Sequence, residues 1–235
     1  AALEQGISPN TTYPCTSLNW SGQIFAGCRS GGGSQDLWQG LAQSENVIAL
    51  RVAQEVGLPR VIQTARRLGI QSELRATPGL VLGESEVTPL EMTGAFAVLA
   101  NRGVAHPPHA IRRILDGSVC GQRDDPKTCR LIYDQALDPE SQRTVLAPQI
   151  ADTMTQMLEG VVQGGTGRNA ALGSVAVAGK TGTTNNNADL WFIGYIPSQS
   201  LVTGVWLGTD ELTPTRGSSA LAASLWGDYM HKLVN

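Results

Sequence analysis

The chain has 235 residues, of which 41% are hydrophobic and 16% charged, with 27 glycines, 12 prolines and a formal net charge of -3. Charge this sparse and nearly balanced supplies no field for nucleic acid or anionic lipid, and an apolar content this high excludes a disordered chain. No run approaches the ~18 apolar residues of a membrane span, and Ala1-Ala2-Leu3-Glu4-Gln5-Gly6 has neither the basic nor the apolar region of a signal peptide. The expectation is a folded, soluble protein, with any targeting segment outside these residues.

Taken in chain order, residues 1 to 33 are rich in Thr, Asn, Ser and Gly and predict extended loop, except around Gln23-Ile24-Phe25. From Ser34 the apolar spacing turns helical, through Leu37, Leu41, Val47, Ile48 and Leu50 to Val56, which predicts two short helices flanking Ser44. Pro59 can start a third helix, with Gly69 placed to cap it. Thr88-Pro89-Leu90-Glu91 has the pattern of a capping box, opening a helix that runs to Asn101. Ala110 to Leu115 and Arg130 to Tyr133 read as two strands joined by a loop that holds Cys120 and Cys129, and Pro148 opens a helix to Val162. Val175 to Ala178, Leu190 to Ile196 and Leu201 to Leu207 are strand-like, the last two forming a hairpin across Pro197-Ser198-Gln199-Ser200. A last helix from Ser218 to about Lys232 presents Leu221, Leu225, Trp226 and Tyr229 as its sheet-covering face. Helices first and strands with a covering helix afterwards is an α+β layout.

The four cysteines form two close pairs, Cys15 with Cys28 and Cys120 with Cys129, in polar stretches without metal-ligand spacing. Two local disulfides in an oxidising compartment are expected, each contributing about 2.5 to 3 kcal/mol by restricting the unfolded chain. His106-Pro107-Pro108-His109 has no carboxylate partner and no helical geometry, so a solvated loop is expected there. No metal or cofactor is expected.

Chemistry concentrates in Ala178-Gly179-Lys180-Thr181-Gly182-Thr183-Thr184, where a lysine, three hydroxyls and two glycines follow a strand-like run. The pattern speaks against a phosphate-binding loop: its earlier glycine would stand five residues before Gly179, where Ser174 is found, and Asn185-Asn186-Asn187 continues no helix. The alternative is a strand edge that receives an extended peptide, with Lys180, Thr181 and Thr183 around a substrate carboxylate and Gly182 letting the ligand approach the backbone.

This segment resembles the lysine-threonine-glycine motif of penicillin-binding proteins and serine β-lactamases. Ser44-Glu45-Asn46 matches the family's serine-x-asparagine motif in the family's order. Leu41 to Asn46, Leu82 to Met92, Gly164-Gly165-Thr166-Gly167 and Asp189 to Tyr195 all look like the transpeptidase half of bifunctional class A penicillin-binding proteins. The resemblance covers nearly the whole of residues 1-235. It implies a helical part and an antiparallel sheet flanked by helices, meeting at a cleft. It also implies an acyl-serine transpeptidase that crosslinks peptidoglycan stem peptides and is inhibited by β-lactams. Carried over, Ser44 would relay protons, Asn46 would bond the substrate amide, and Lys180 would supply positive potential. Thr181 and Thr183 would hold the carboxylate, the backbone N–H of Thr183 forming half of the oxyanion hole. Thr184 is either a further substrate contact or part of a loop at the cleft rim.

One departure matters. The family's acylating motif is serine-x-x-lysine, and none occurs here, since Lys127, Lys180 and Lys232 are the only lysines and none follows a serine by three. Ser72 with Arg75 fails as a substitute, because a guanidinium is no base. The resemblance implies that the nucleophile lies a short distance upstream of Ala1-Ala2-Leu3-Glu4-Gln5-Gly6, in a protein anchored to the membrane by a segment not in this chain, at the periplasmic face. The competing expectations are a nucleophile-less binding or scaffold module, and a β-lactam hydrolase or D,D-carboxypeptidase of the same fold.

Overall fold

Strand-forming runs in the last third of the chain build the sheet on which everything else is arranged. In a computed structural model, which describes residues 1–122, 125–199, 201–211 and 213–234, the architecture is assembled from the following elements. Short strands β1 (Thr12–Pro14), β2 (Leu18–Trp20), β3 (Gln23–Phe25) and β4 (Ser34–Asp36) precede helices α1 (Leu37–Ala42), α2 (Asn46–Val56), α3 (Leu58–Arg67) and α4 (Pro89–Ala100). There follow β5 (Val104–Ala105), β6 (Arg113–Cys120), β7 (Cys129–Asp134), β8 (Arg143–Thr144) and α5 (Pro148–Gln163). Last come β9 (Ala178–Thr183), β10 (Leu190–Ile196), β11 (Leu201–Leu207) and α6 (Ser219–Val234).

The main sheet is antiparallel with order β11-β10-β9. The hairpin forms in the expected register, from Leu190 opposite Leu207 to Ile196 opposite Leu201; Ser200 of its turn lies outside the described residues. Alternation along β10 sends Leu190, Phe192 and Ile196 to one face, where they pack with Ala222, Ala223, Trp226 and Met230 of α6. Tyr195 serves the other face with Ala178 and Leu158 of α5, alongside Phe96 and Leu99 of α4. A third cluster joins Tyr13, Cys15, Leu18 and Cys28 to Leu37, Val47, Ile48 and Leu50, and reaches α5 through Met157. Helix α5 therefore contributes Met157, Leu158 and Val162 to three cores at once, and it joins the helical part to the sheet. This is the expected α+β arrangement.

Several local expectations are corrected. Residues 12–14 and 18–20 are strands rather than loop, and Ser34–Asp36 is a strand paired with β1 rather than a helix start; backbone pairing decides these short segments, whose side chains carry no period. Cys120 and Cys129 stand opposite one another at the ends of β6 and β7, not inside the loop, and β6 starts at Arg113 rather than Ala110. The third strand of the sheet is Ala178–Thr183 rather than 175 to 178, because pairing with β10 overrides the weak strand tendency of Gly and Lys. In α6 the sheet is covered by Ala222, Ala223, Trp226 and Met230, with Gly227 buried against Asn169 and Ala170, while Leu221, Leu225 and Tyr229 are exposed. Trp226 and Met230 supply the bulk of that face, with Ala222 and Ala223 beside them.

The capping box forms: the Thr88 hydroxyl accepts from the Glu91 N–H, and Glu91 accepts from the Thr88 N–H. Glu91 also accepts from the Ser72 hydroxyl at 2.6 Å and from the N–H groups of Gln71 and Ser72. These bonds, that from the Ser72 hydroxyl first, hold the Glu91 carboxyl well below its ordinary value of 4.5. Ser72 is thus part of a cap. Because the folded state prefers ionised Glu91, its contribution is present above pH ~4.5 and is lost as pH falls through the lower folded value. Glu91→Gln is expected to cost about 1 kcal/mol at neutral pH, and urea unfolding curves should show the gap to wild type closing on acidification.

Candidate active site

Helix α1 ends at Ala42, and the chain must reverse before α2 starts at Asn46. It does so through Ser44 at φ 55, the left-handed conformation usually left to glycine at a helix end. For a serine this strain costs on the order of 1–3 kcal/mol, which the surrounding contacts must offset. Those contacts begin with the Ser44 N–H bonded to Leu41 O at 3.1 Å and the Glu45 N–H to Gly40 O at 2.9 Å. Ser44 is consequently not a helix cap; Glu45 occupies that position.

From 136 residues further along the chain, Lys180 of β9 reaches this turn, its Nζ donating to Ser44 Oγ at 2.9 Å and to Thr181 O at 2.9 Å. Burial pushes the Lys180 pKa down to about 8, and the positive charge of Arg29 adds to the effect. At neutral pH the group is thus a cation whose proton is loosely held.

Thr181 is buried, and its hydroxyl shares a 2.6 Å hydrogen bond with that of Thr166. Thr166 lies in the glycine-rich loop after α5, and its N–H donates to Ala42 O at 3.0 Å. Gly165 permits this docking, since a Cβ there would lie 2.1 Å from the same carbonyl oxygen. The end of α1, the loop after α5 and β9 thereby lock together around Ser44 and Lys180. Sequence reasoning gave Thr166 no role; its only signal was a hydroxyl between glycines in a segment that matches the family.

Gly182 and Thr183 continue β9, one of the two edge strands of the sheet, with Thr183 exposed. Asn46 is exposed at the start of α2 and, with Phe25, Ala26, Gly27, Arg29 and Glu45, lines a cavity of about 180 Å³. Thr184 spends its hydroxyl on Asp189, donating at 2.9 Å and accepting from the Asp189 N–H at 2.8 Å; both bonds stay within the loop that leads into β10. The disulfides Cys15–Cys28 and Cys120–Cys129 are formed. A larger cavity, about 470 Å³, is lined by Gln63, Arg66, Arg67 and residues 143 to 145, none of them in the group around Lys180. Arg66 and Arg67 are committed there to the carbonyls of Ile70, Ser72 and Val145 and to Glu4. Among the described residues, no cluster of His, Cys, Asp and Glu could hold a metal, and no helix is long and apolar enough to cross a membrane.

The family model for the penicillin binding protein transpeptidase domain matches residues 1–231. Penicillin-binding protein 1A of Neisseria gonorrhoeae is 33% identical over 245 aligned residues, which cover 98% of this chain and 29% of that protein. The chain therefore spans under a third of the length of this curated relative. Among solved structures, the penicillin-binding protein PonA1 from Mycobacterium tuberculosis superposes with a TM-score of 0.82 at 26% identity, over 100% of this chain and 65% of that one. Penicillin-binding protein A from M. tuberculosis, solved as an imipenem acyl-enzyme complex, superposes with a TM-score of 0.73 at 20% identity, over 100% of this chain and 57% of that one, a likeness of fold.

Proposed function

The chain belongs to the penicillin-binding protein transpeptidase family, whose members crosslink peptidoglycan, and on that footing we propose that residues 1-235 supply the carboxylate-binding and proton-relay side of a D,D-transpeptidase site. The observation that carries this is the 2.9 Å bond between Lys180 Nζ and Ser44 Oγ, which joins two motifs 136 residues apart. A serine, activated by a lysine one helical turn on, comes from sequence outside these residues and attacks the penultimate D-alanine carbonyl of a stem peptide. The serine C–O bond forms and the C–N bond to the terminal D-alanine breaks. The proton taken from the serine reaches the leaving amine through Ser44 and Lys180. Attack by the amine of a neighbouring stem then reverses the sequence and frees the serine.

Within this scheme Lys180, Thr181 and Thr183 bind the substrate's terminal carboxylate, or its β-lactam equivalent, as a charge-assisted cluster. Asn46 bonds the acyl amide, and Gly182 leaves room for the peptide against β9. The Thr183 N–H and the nucleophile's own N–H form the oxyanion hole. No cofactor enters. The two disulfides favour an extracytoplasmic setting, with membrane anchorage and any glycosyltransferase unit in other parts of a longer protein.

The absence of a serine-x-x-lysine among these residues favours a second reading, in which the fold only binds stem peptides or a partner as a scaffold. One experiment separates the two. The longer protein containing residues 1-235 is incubated with a pentapeptide stem and an acceptor amine, and D-alanine release is followed with and without a β-lactam. Release coupled to crosslink formation and blocked by the β-lactam is expected. Binding of the stem peptide without release would establish the scaffold, and release without crosslinking would mark a carboxypeptidase.

A further inference from the structure

The turn that presents Ser44 is held from outside the two helices it joins. Cys15 and Cys28 are buried against α2 in the cluster that contains Val47 and Ile48. The Cys28 N–H donates to Cys15 O at 3.0 Å, and Gly27 lies so close that a Cβ on it would stand 2.2 Å from that oxygen. With the backbone at 27 and 28 pinned in this way, the direction in which Arg29 leaves is fixed.

Arg29 then contacts three consecutive residues of the turn. Its Nη2 donates to the carbonyl oxygens of Gln43 and, at 3.1 Å, Ser44. Its backbone N–H donates to Glu45 Oε2 at 3.0 Å, and its Nε lies 3.8 Å from the same oxygen. Glu45 is only 4% exposed, so its carboxylate requires such partners. We propose that Arg29, aimed by the Cys15–Cys28 disulfide, is a positioning residue for the transpeptidase reaction, bracing the left-handed turn so that Ser44 Oγ meets Lys180.

This inference rests on the reading under Proposed function. The Arg29 side chain is 69% exposed and its Nε lies 3.8 Å from Glu45, whose buried carboxylate keeps its 3.0 Å bond from the backbone N–H whatever side chain stands at 29, so the side-chain ion pair contributes little to stability. The brace therefore acts on geometry more than on folding, and the two effects can be measured apart.

Rapid-mixing kinetics with a chromogenic β-lactam on the longer protein give the affinity of the non-covalent complex and the acylation rate constant separately. Arg29→Gln is expected to lower the acylation rate constant by ~10–100-fold, as a displacement near 1 Å does, with non-covalent affinity and thermal midpoint close to wild type. Arg29→Lys should recover part of the loss. Replacing Cys15 and Cys28 together by serine should slow acylation in the wild-type background and add little once Arg29→Gln is present. Normal acylation in Arg29→Gln, or disulfide and arginine effects that simply multiply, would overturn the brace. If Arg29→Gln does not fold, the decision passes to Arg29→Lys, whose wild-type rate would overturn it and whose reduced rate would support it. Failure of the wild-type protein to be acylated at all removes the transpeptidase reading and the brace with it, whereas labelled wild type with unaffected variants removes the brace alone.

Discussion

Lys180→Ala in the longer protein is expected to lower the rate of β-lactam acylation by ~10²–10³-fold, the loss typical of removing one preorganised electrostatic donor. Two consequences combine. The carboxylate of substrate or drug loses the cation that draws it to β9, and Ser44 loses the partner 2.9 Å away with which it shares a proton. Folding should survive, because the dominant influence on Lys180 is the unfavourable burial of its charge, and deleting that charge removes the penalty as well as the bonds.

The lowered pKa gives the experiment a second dimension. With Lys180 titrating near 8, the cation is present below that pH and disappears above it, so carboxylate-dependent acylation should decline as pH rises through about 8. Lys180→Arg keeps the charge but cannot release a proton. Its rate should be low and its alkaline limb absent, provided that the limb belongs to Lys180. A wild-type profile in either variant, measured by stopped-flow acylation from pH 6 to 10 (on the order of the range over which a perturbed lysine titrates), would remove Lys180 from the mechanism.

The largest stability loss is expected at Trp226. Its side chain is fully buried between α6 and the sheet, its ring meets Phe192 edge-on at 5.3 Å and 62°, and its indole N–H donates to Thr203 O at 3.0 Å. Truncation to alanine removes the apolar contacts, opens a cavity and leaves the Thr203 carbonyl without that donor. A cost of about 3–5 kcal/mol follows, a large fraction of the ~5–15 kcal/mol by which a domain is stable. Trp226→Phe keeps most of the ring packing but loses the indole bond, and should cost roughly half as much. Urea midpoints for the two variants check the order, and equal midpoints would mean that the cavity is not what matters.

Much of the framework was readable because local chemistry and tertiary packing agree. The capping box at Thr88 and the hairpin of β10 and β11 each carry their signal within a few residues. Where packing between distant segments decides, the signal fails. The apolar residues of α6 suggested a face bearing Leu221, Leu225, Trp226 and Tyr229, yet of these only Trp226 is buried, and Ala222, Ala223 and Met230 complete the face against the sheet. The strand that carries Lys180 begins at Ala178 because β10 pairs with it there, not because of its own composition.

At the site, nothing in spacing relates Ser44 to Lys180; family resemblance alone suggested that they meet. Thr166 and Arg29 escaped notice for a common reason. Thr166 docks through a backbone carbonyl as well as Thr181, and Arg29 mainly holds the carbonyls of Gln43 and Ser44 and the acid at 45, so neither belongs to any pattern of side chains along the sequence.

On the proposed reading, these residues supply the carboxylate-binding and proton-relay side of an acylation site whose nucleophile lies elsewhere in the protein. Mapping the serine that carries a penicilloyl group, by proteolysis and mass spectrometry of the longer protein after β-lactam treatment, tests it most directly. A single adduct is expected on a serine followed three residues later by lysine, outside residues 1-235, with no adduct on residues 1-235 expressed alone. An adduct on Ser44, or on any other serine within the 235 residues, would contradict it.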